Sequence, residues 1–436
     1  MRIDRLELRN FKKFAEQTFE LHPHFTLLVG ENGSGKTSAL DGLAVALGIW
    51  LVEPPDSSLT GSRRWIYPSE IRLEPIRQGD RTLFQEAEGG VAVRAHGRIG
   101  DHDGVEWTRK IDPGSRRMDN TGGNQALQII RHVFARATAH ERVLLPVIAY
   151  YGAGRAWLPH VKRTDEPLGP ARRWAAFFKC LKQRIRFTDL VRWFRGEAIA
   201  ALNRGGRFRP GFEVVRQAVL RCVPGADDMW YDGDRKTVVL SISKHAQPLS
   251  NLSAGQRMMM AMVADIAIKA VTQNNFMVPP DALAAEDEPL PRVLAHTPGV
   301  VLIDELDVHL HPRWQRDVAR HLKMTFPKIQ FVCTSHSPQV IGEIPPEEIR
   351  LLEDNGAQSP GQSFGMDSNW ILRVLMGAED QNADVKSELD HIFKLITERR
   401  IDEAASNVAA LRARVGNSES IQRAASTIER VRMLGK

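Results

Sequence analysis

Gly30-Glu31-Asn32-Gly33-Ser34-Gly35-Lys36-Thr37 follows the mostly apolar run Phe25–Val29 and opens an amphipathic stretch that begins at Ser38. A strand, a glycine-rich loop closed by Gly-Lys-Thr, and a helix form a phosphate cradle. The glycines let backbone N–H groups wrap the phosphates, Lys36 reaches the β and γ phosphates as a point charge, and the Thr37 hydroxyl meets Mg²⁺. Asn32, Gly33, Ser34, Gly35, Lys36, Thr37 and Ser38 are therefore the expected nucleotide contacts. A second group is Asp304-Glu305, which ends the apolar run Val300–Ile303. Asp304 would hold Mg²⁺ through its water shell. Alternation along the strand would point Glu305 the other way, over the γ-phosphate, to polarise a water for in-line attack. A third is Thr334-Ser335-His336-Ser337, at the end of the largely apolar run Ile329–Cys333. Ligand groups of open α/β sheets gather at such strand ends, and His336 can donate to a γ-phosphate. A chance glycine turn, surface carboxylates and a structural histidine are the bland alternatives. Three apolar strands with chemistry at their C-terminal ends, in one chain, favour the nucleotide.

A fourth group is harder to place. Leu252-Ser253-Ala254-Gly255-Gln256 begins a helix with small residues that leave backbone N–H groups open, a good phosphate site, yet it lies 217 residues after Lys36.

The elements that must position these groups alternate in type. Residues 91–111, VAVRAHGRIGDHDGVEWTRKI, are two alternating runs with Gly-containing turn residues between them and predict a hairpin. Residues 157–225 read as helices rich in Trp, Phe and Arg, and Trp174, Phe177, Phe178, Trp193 and Phe194 read as core rather than a base-stacking platform. Met229–Ser243 returns to strand. Residues 276–298 are proline-rich and acidic, a surface loop. After Asp367 three short helices are predicted, with Val385, Leu389, Ile392, Phe393 and Ile396 on one face of the first, and Gly416-Asn417 between the other two. The expected organisation is 1–156, an N-terminal lobe with the phosphate loop and a β-rich segment; 157–228, a basic helical insertion; 229–366, a C-terminal lobe; and 367–436, a helical module for docking or oligomerisation.

Composition narrows the class. The chain has 436 residues, 42% hydrophobic and 26% charged, with formal charge +6, which suits a globular protein of more than one domain. From Arg172 to Arg221 thirteen Lys/Arg face three Asp/Glu, a local net of +10. That is a candidate DNA footprint, or a solvated face, or a surface for an acidic partner. No run approaches the ~18 apolar residues of a membrane span. The start, MRIDRLELRNFKKF, lacks the apolar core of a secretory signal. Cys180, Cys222 and Cys333 are far apart and lack metal-ligand spacing, so a cytoplasmic location without disulfides or zinc is expected. His309 and His311, two apart, read as structural.

The order of phosphate loop, LSAGQ, VVLIDE, a following aspartate and a terminal histidine resembles the ABC-type ATPases, whose signature is Leu-Ser-Gly-Gly-Gln. Here Ala254 replaces one glycine. The resemblance covers about residues 1–50, 145–156 and 245–342. It implies an α/β ABC-type P-loop fold with an antiparallel β lobe, and ATP and Mg²⁺ as cofactors. In that family two chains pair head to tail, and each signature caps the nucleotide on the partner's phosphate loop. Ser253, Ala254, Gly255 and Gln256 would thus hold a second subunit's γ-phosphate, and Asp307 matches the D-loop position that crosses between subunits. MRIDRLELRNFKKF resembles the first strand and loop of the RecF and SMC branch, which would bring Lys12 near the phosphates. No sustained heptads supply SMC-type arms. AYYGAGR and DELDVHLHPRWQ resemble the Septu and retron-associated ATPases of bacterial defence islands. The family's Q-loop glutamine is missing after Tyr151, and Arg155 either reaches phosphate instead or is structural. The resemblance implies an ATP-hydrolysing sensor or regulator of an anti-phage system, with a head-to-tail homodimer or higher homo-oligomer and a separate nuclease effector of the HNH type. A RecF-like DNA clamp and an ATP-dependent scaffold with little turnover are the alternatives.

Overall fold

The computed structural model describes residues 1–78, 81–156, 173–183, 187–280, 289–353, 356–379 and 381–434, and of Arg155 and Ala156 the backbone alone. The chain opens with β1 (Arg2–Phe11) and β2 (Phe14–Glu20), then runs through β3 (Phe25–Val29) into a helix, Lys36–Leu47. Two hairpins follow, β4 (Leu73–Gln78) with β5 (Arg81–Glu86) and β6 (Val91–Ile99) with β7 (His102–Ile111), then a helix, Asn124–Thr138, and β8 (Val147–Tyr151). Helices Phe187–Leu202 and Pro210–Cys222 precede β9 (Ala226–Asp232), β10 (Thr237–Ile242) and β11 (His245–Pro248). The 20-residue helix Ala254–Gln273 leads towards β12 (Gly299–Ile303), helix Pro312–Thr325, β13 (Ile329–Thr334), β14 (Ile349–Glu353) and β15 (Gly356–Gln358).

Six of these strands form the central sheet in the order β15-β14-β3-β13-β12-β8, parallel except for the β15 edge. Every residue of β3, β8, β12 and β13 is buried. Strands covered on both faces must be apolar throughout, which is why these runs stand out in the sequence. Because side chains alternate across a strand, Tyr150 and Tyr151 face opposite sides of β8. The Tyr150 hydroxyl lies by Asp41 on the Lys36–Leu47 helix, and the Tyr151 hydroxyl donates to Asp265 Oδ2 (2.6 Å) on the Ala254–Gln273 helix. The phosphate-loop helix and the LSAGQ helix therefore cover opposite faces.

A second, antiparallel sheet, β2-β1-β6-β7, packs on the phosphate-loop helix, and β6–β7 is the hairpin expected at 91–111. This sheet anchors the helix at its far end. Trp107 Nε1 donates to Ala46 O (3.0 Å), and the buried Arg109 guanidinium donates to Val45 O (2.5 Å) and Asn120 Oδ1 (2.9 Å). A cation at the last carbonyls of a helix is favourable. Burial, and then the nearby Arg64, push the Arg109 pKa down to about 9.

Met1–Met366 and Asp367–Lys436 are two compact units. In the second, helices Ala383–Thr397, Ile401–Val415 and Glu419–Leu434 share their own core around Leu389, Ile392, Leu395, Val408, Leu411 and Ile428. Phe393, expected on the core face, is only partly buried there. Among the described residues no helix is long and apolar enough to cross a membrane.

Candidate nucleotide site

Parallel pairing places the C-terminal ends of β3, β13 and β12 side by side, so the loops after Val29, Thr334 and Ile303 converge. They enclose a cavity of about 260 Å³ lined by Asn32, Gly33, Gly35, Lys36, Thr37, Ser38, Asp304, Glu305, Thr334 and His336, with Lys13 at its rim. The glycines are needed where they stand. Gly33 (φ 81°) and Gly35 (φ 105°) adopt left-handed backbone, and a Cβ on Gly35 would overlap the Phe14 ring. Ser34 closes the turn, its N–H donating to Glu31 O (3.1 Å), and its hydroxyl lies 3.5 Å from Lys36 Nζ.

The Lys36 ammonium donates to Gly30 O (2.8 Å) and Glu31 O (2.7 Å). Burial lowers its pKa, against the opposing pull of Asp304 and Glu305. The Thr37 hydroxyl lies 3.1 Å from Asp304 Oδ2, and Asp304 is only 8% exposed. The Thr334 hydroxyl donates to Asp304 Oδ1 (2.7 Å) and accepts the N–H of Glu305 (2.7 Å). One side chain thus orients both carboxylate-bearing residues, a role the sequence does not announce.

Glu305 does not follow strand alternation. β12 ends at Ile303, and Glu305 has φ 52°, so its side chain swings to the same cavity as Asp304. Left-handed backbone at a non-glycine residue costs on the order of 1–3 kcal/mol and clusters at functional sites. His336 faces the same space. Burial first, then the Lys36 ammonium, lower its pKa, so near neutral pH it carries one N–H donor and one bare nitrogen.

Lys12 is not at the phosphate loop. Its ammonium pairs with Asp41 and lies 3.8 Å from Glu70, while Lys13 Nζ donates to Gly33 O (2.9 Å). The turn from β1 to β2 passes through left-handed Asn10 and Lys12, which breaks strand alternation and gives the outer position to the next lysine. Asp41 also accepts from Gln183 Nε2 (3.2 Å), and Gly152 N donates to Gln183 O (2.8 Å). A glutamine therefore does stand beside the end of β8, supplied from 32 residues downstream, where no sequence spacing points to it. The Arg155 side chain lies outside the described residues.

Ser253 to Gln256 do not line this cavity. Ser253 Oγ accepts the Gln256 N–H (3.2 Å) and Gln256 Oε1 accepts the Ser253 N–H (3.0 Å), a reciprocal cap on the Ala254–Gln273 helix. Ser253 is exposed and Gly255 buried. A Cβ on Gly255 would overlap the His309 carbonyl. Asp307, in the same turn, accepts from Ser335 Oγ (2.5 Å), and Gln315 Nε2 donates to Leu310 O (2.9 Å). His311 caps the Pro312–Thr325 helix by accepting the Arg313 N–H at Nδ1 (3.2 Å).

In the basic segment, Arg172, Arg184 and Arg186 lie outside the described residues. Several others are engaged internally: Arg173 with Gln273 O (2.8 Å), Arg209 with Glu197 (3.4 Å) and Arg216 with Asp228 (2.8 Å). Phe177 and Phe194 are fully buried; Phe178 is exposed. All three cysteines are buried free thiols.

Residues 5–192 match a family model described as an AAA domain, and residues 281–342 match one described as "AAA domain, putative AbiEii toxin, Type IV TA system". The chain is 26% identical to the "Retron Ec83 probable ATPase" of Escherichia coli, over 86% of this chain and 76% of that protein. It is 24% identical to the Septu protein PtuA of Bacillus mycoides (strain KBAB4) over 91% of its length, and spans about half (47%) of that relative. A shorter stretch, 26% of the chain, is 37% identical to the DNA replication and repair protein RecF of Xanthomonas axonopodis pv. citri (strain 306), covering 28% of it. Among solved structures, an Smc head bound to the C-terminal winged-helix domain of ScpA aligns over 83% of this chain and 98% of that one, at 15% identity and TM-score 0.47. The glycine-rich loop at the end of a parallel strand is that of an α/β P-loop ATPase, in line with the AAA-domain match, and the chain is similar over most of its length to the retron Ec83 and Septu ATPases.

Proposed function

We propose that this chain hydrolyses ATP through a composite, head-to-tail site and serves as the sensor or regulator of an anti-phage system whose nuclease effector, of the HNH type, is a separate protein. The observation that carries the ATPase reading is the convergence of Lys36, Thr37, Asp304, Glu305 and His336 on one cavity. The regulatory role is supported by the likeness to retron and Septu ATPases.

In this reading Lys36 leaves the Gly30 and Glu31 carbonyls for the β and γ phosphates. The hard oxygen donors of Thr37 and Asp304, 3.1 Å apart, suit Mg²⁺, which keeps most of its waters and bridges few protein ligands. When bound, that ion neutralises charge developing on the phosphate oxygens. Glu305 takes the proton of the attacking water. His336 donates its N–H to the γ-phosphate. Ser253 and Gly255 of a second copy complete the far side, and Asp307 lies at that junction. In this reading those basic residues of the 172–221 segment that are not held internally offer a path for DNA, and the 367–436 module a docking surface.

Mixing variants tests the composite site. Lys36→Ala has a dead phosphate loop and an intact signature, and Ser253→Arg has the reverse. Each alone should be inactive, while the mixture recovers part of the turnover. A mixture that stays dead, with both chains folded and associating, overturns the head-to-tail site. The RecF likeness supports a second reading as a DNA clamp without an effector. Co-purification with a neighbouring nuclease decides against it.

A further inference from the structure

The opposite end of the central sheet carries a second concavity. A cavity of about 580 Å³ lies against the N-terminal ends of the parallel strands, away from the phosphate loop. The segments that enter four adjacent strands each put one basic or imidazole side chain on its wall: Arg142 before β8, His296 before β12, Lys328 before β13 and His24 before β3. All four are exposed. With neighbouring strands about 4.8 Å apart, the row spans on the order of 15 Å.

The row is not balanced by acids. Arg98 and Arg136 also line the cavity, but Asp103 (3.7 Å) and Glu141 (2.6 Å) hold them. Among the described residues no carboxylate pairs with Arg142 or Lys328, and Asp101 is the one carboxylate on the wall. The Asn124–Thr138 helix adds two apolar side chains to the lining, Ile129 and Val133, beside His132 and Arg136. Pockets of roughly 300–1,000 Å³ with an apolar wall and a few directed polar groups bind small ligands.

We propose that this cavity binds a nucleoside polyphosphate, with its phosphates along Arg142, His296, Lys328 and His24 and its base against Ile129 and Val133. The site is separate from the ATPase site and does not depend on it. A cavity of about 580 Å³ fits a single nucleotide better than a continuous strand, which needs an extended groove and stacking aromatics.

Calorimetric titration with non-hydrolysable ATP and GTP analogues tests this. The unaltered protein should take up two equivalents per chain of at least one analogue. Lys36→Ala should keep one, and Arg142→Glu with Lys328→Glu should keep the other. In the Lys36→Ala background the added pair should weaken the remaining site roughly tenfold or more, as loss of charged hydrogen bonds does, while the melting temperature stays unchanged. A single equivalent in the unaltered protein with none in Lys36→Ala overturns the proposal. So does a second equivalent that survives the paired charge reversal, or a single-stranded oligonucleotide that displaces the nucleotide from this site at lower concentration.

Discussion

The Thr334 hydroxyl donates to Asp304 Oδ1 at 2.7 Å, and Thr334 Oγ1 in turn accepts the backbone N–H of Glu305. Thr334→Val keeps the shape of the strand end and removes both bonds. Groups that orient metal-binding carboxylates typically cost about 10–100-fold when lost. We expect Mg²⁺-dependent ATP turnover to fall by that order with little change in fold, read as a rise in the Mg²⁺ concentration needed for half-maximal rate. Turnover and Mg²⁺ dependence like those of the unaltered chain would remove Thr334 from the site.

Glu305→Gln keeps size and hydrogen-bonding shape but cannot take a proton. Losing a positioned base costs roughly 10²–10⁴ in rate. The variant should bind ATP, stall before hydrolysis and accumulate as an ATP-bound dimer or larger assembly, seen by light scattering with and without ATP. Normal turnover would assign the base elsewhere.

Gly255 and Ser253 should separate packing from assembly. Gly255→Ala forces a Cβ into the His309 carbonyl, so either the helix start or the Asp307–Leu310 turn must move. Overpacking of this kind costs about 1–3 kcal/mol, visible as a lower midpoint in urea. Ser253→Arg removes the cap on this helix, a loss of about 0.5–2 kcal/mol, so the chain should stay folded and bind ATP, yet fail to hydrolyse it. A Ser253→Arg chain that turns over ATP alone at the normal rate would end the composite-site reading.

Acid should weaken the fold before carboxylates protonate. Burial lowers the pKa of His22, His321 and His336 from the usual 6.5. For a lowered histidine the unfolded chain takes the proton first, so stability is full above about 6.5 and is lost as pH falls towards the folded value. The His321 Nδ1 is buried without a hydrogen-bond partner. His321→Gln should flatten the stability profile as pH falls below about 6.5. An unchanged slope in that variant would assign the acid sensitivity to the other groups.

If the basic segment binds DNA phosphates, affinity should fall steeply with salt. Changing Arg184, Arg186, Arg192 and Arg195 together to Ala should reduce the log–log salt slope by up to about 3–4, near 0.9 per phosphate contact on duplex DNA. No binding at low salt, with or without ATP, would leave the segment to protein or solvent.

The phosphate loop, the Asp304-Glu305 pair and the strand before His336 are legible because each is a local pattern. An apolar run must be a doubly covered strand, and glycines at fixed offsets must be left-handed turns. Lys13, Gln183 and Arg109 are not legible in this way. Their positions depend on a turn through left-handed Lys12, on a residue brought back to Gly152 after a long insertion, and on a hairpin that packs on the far end of a helix. The same holds for Glu305: alternation alone would turn its carboxylate away from that of Asp304, whereas left-handed backbone after β12 brings both to one cavity.

By itself the sequence determined the candidate chemistry, the residue types suited to phosphate and to a hard cation, and the parallel α/β architecture that buried apolar runs require. Only the tertiary structure decided which groups share a cavity. It also showed that Ser253–Gln256 stand apart from the phosphate loop of their own chain, and that four strand starts place Arg142, His296, Lys328 and His24 along one edge. The physical reason is that strand order in a sheet is set by long-range pairing. β3, β13 and β12 are neighbours in space although about 270 residues separate the first from the third, and no local propensity encodes that adjacency.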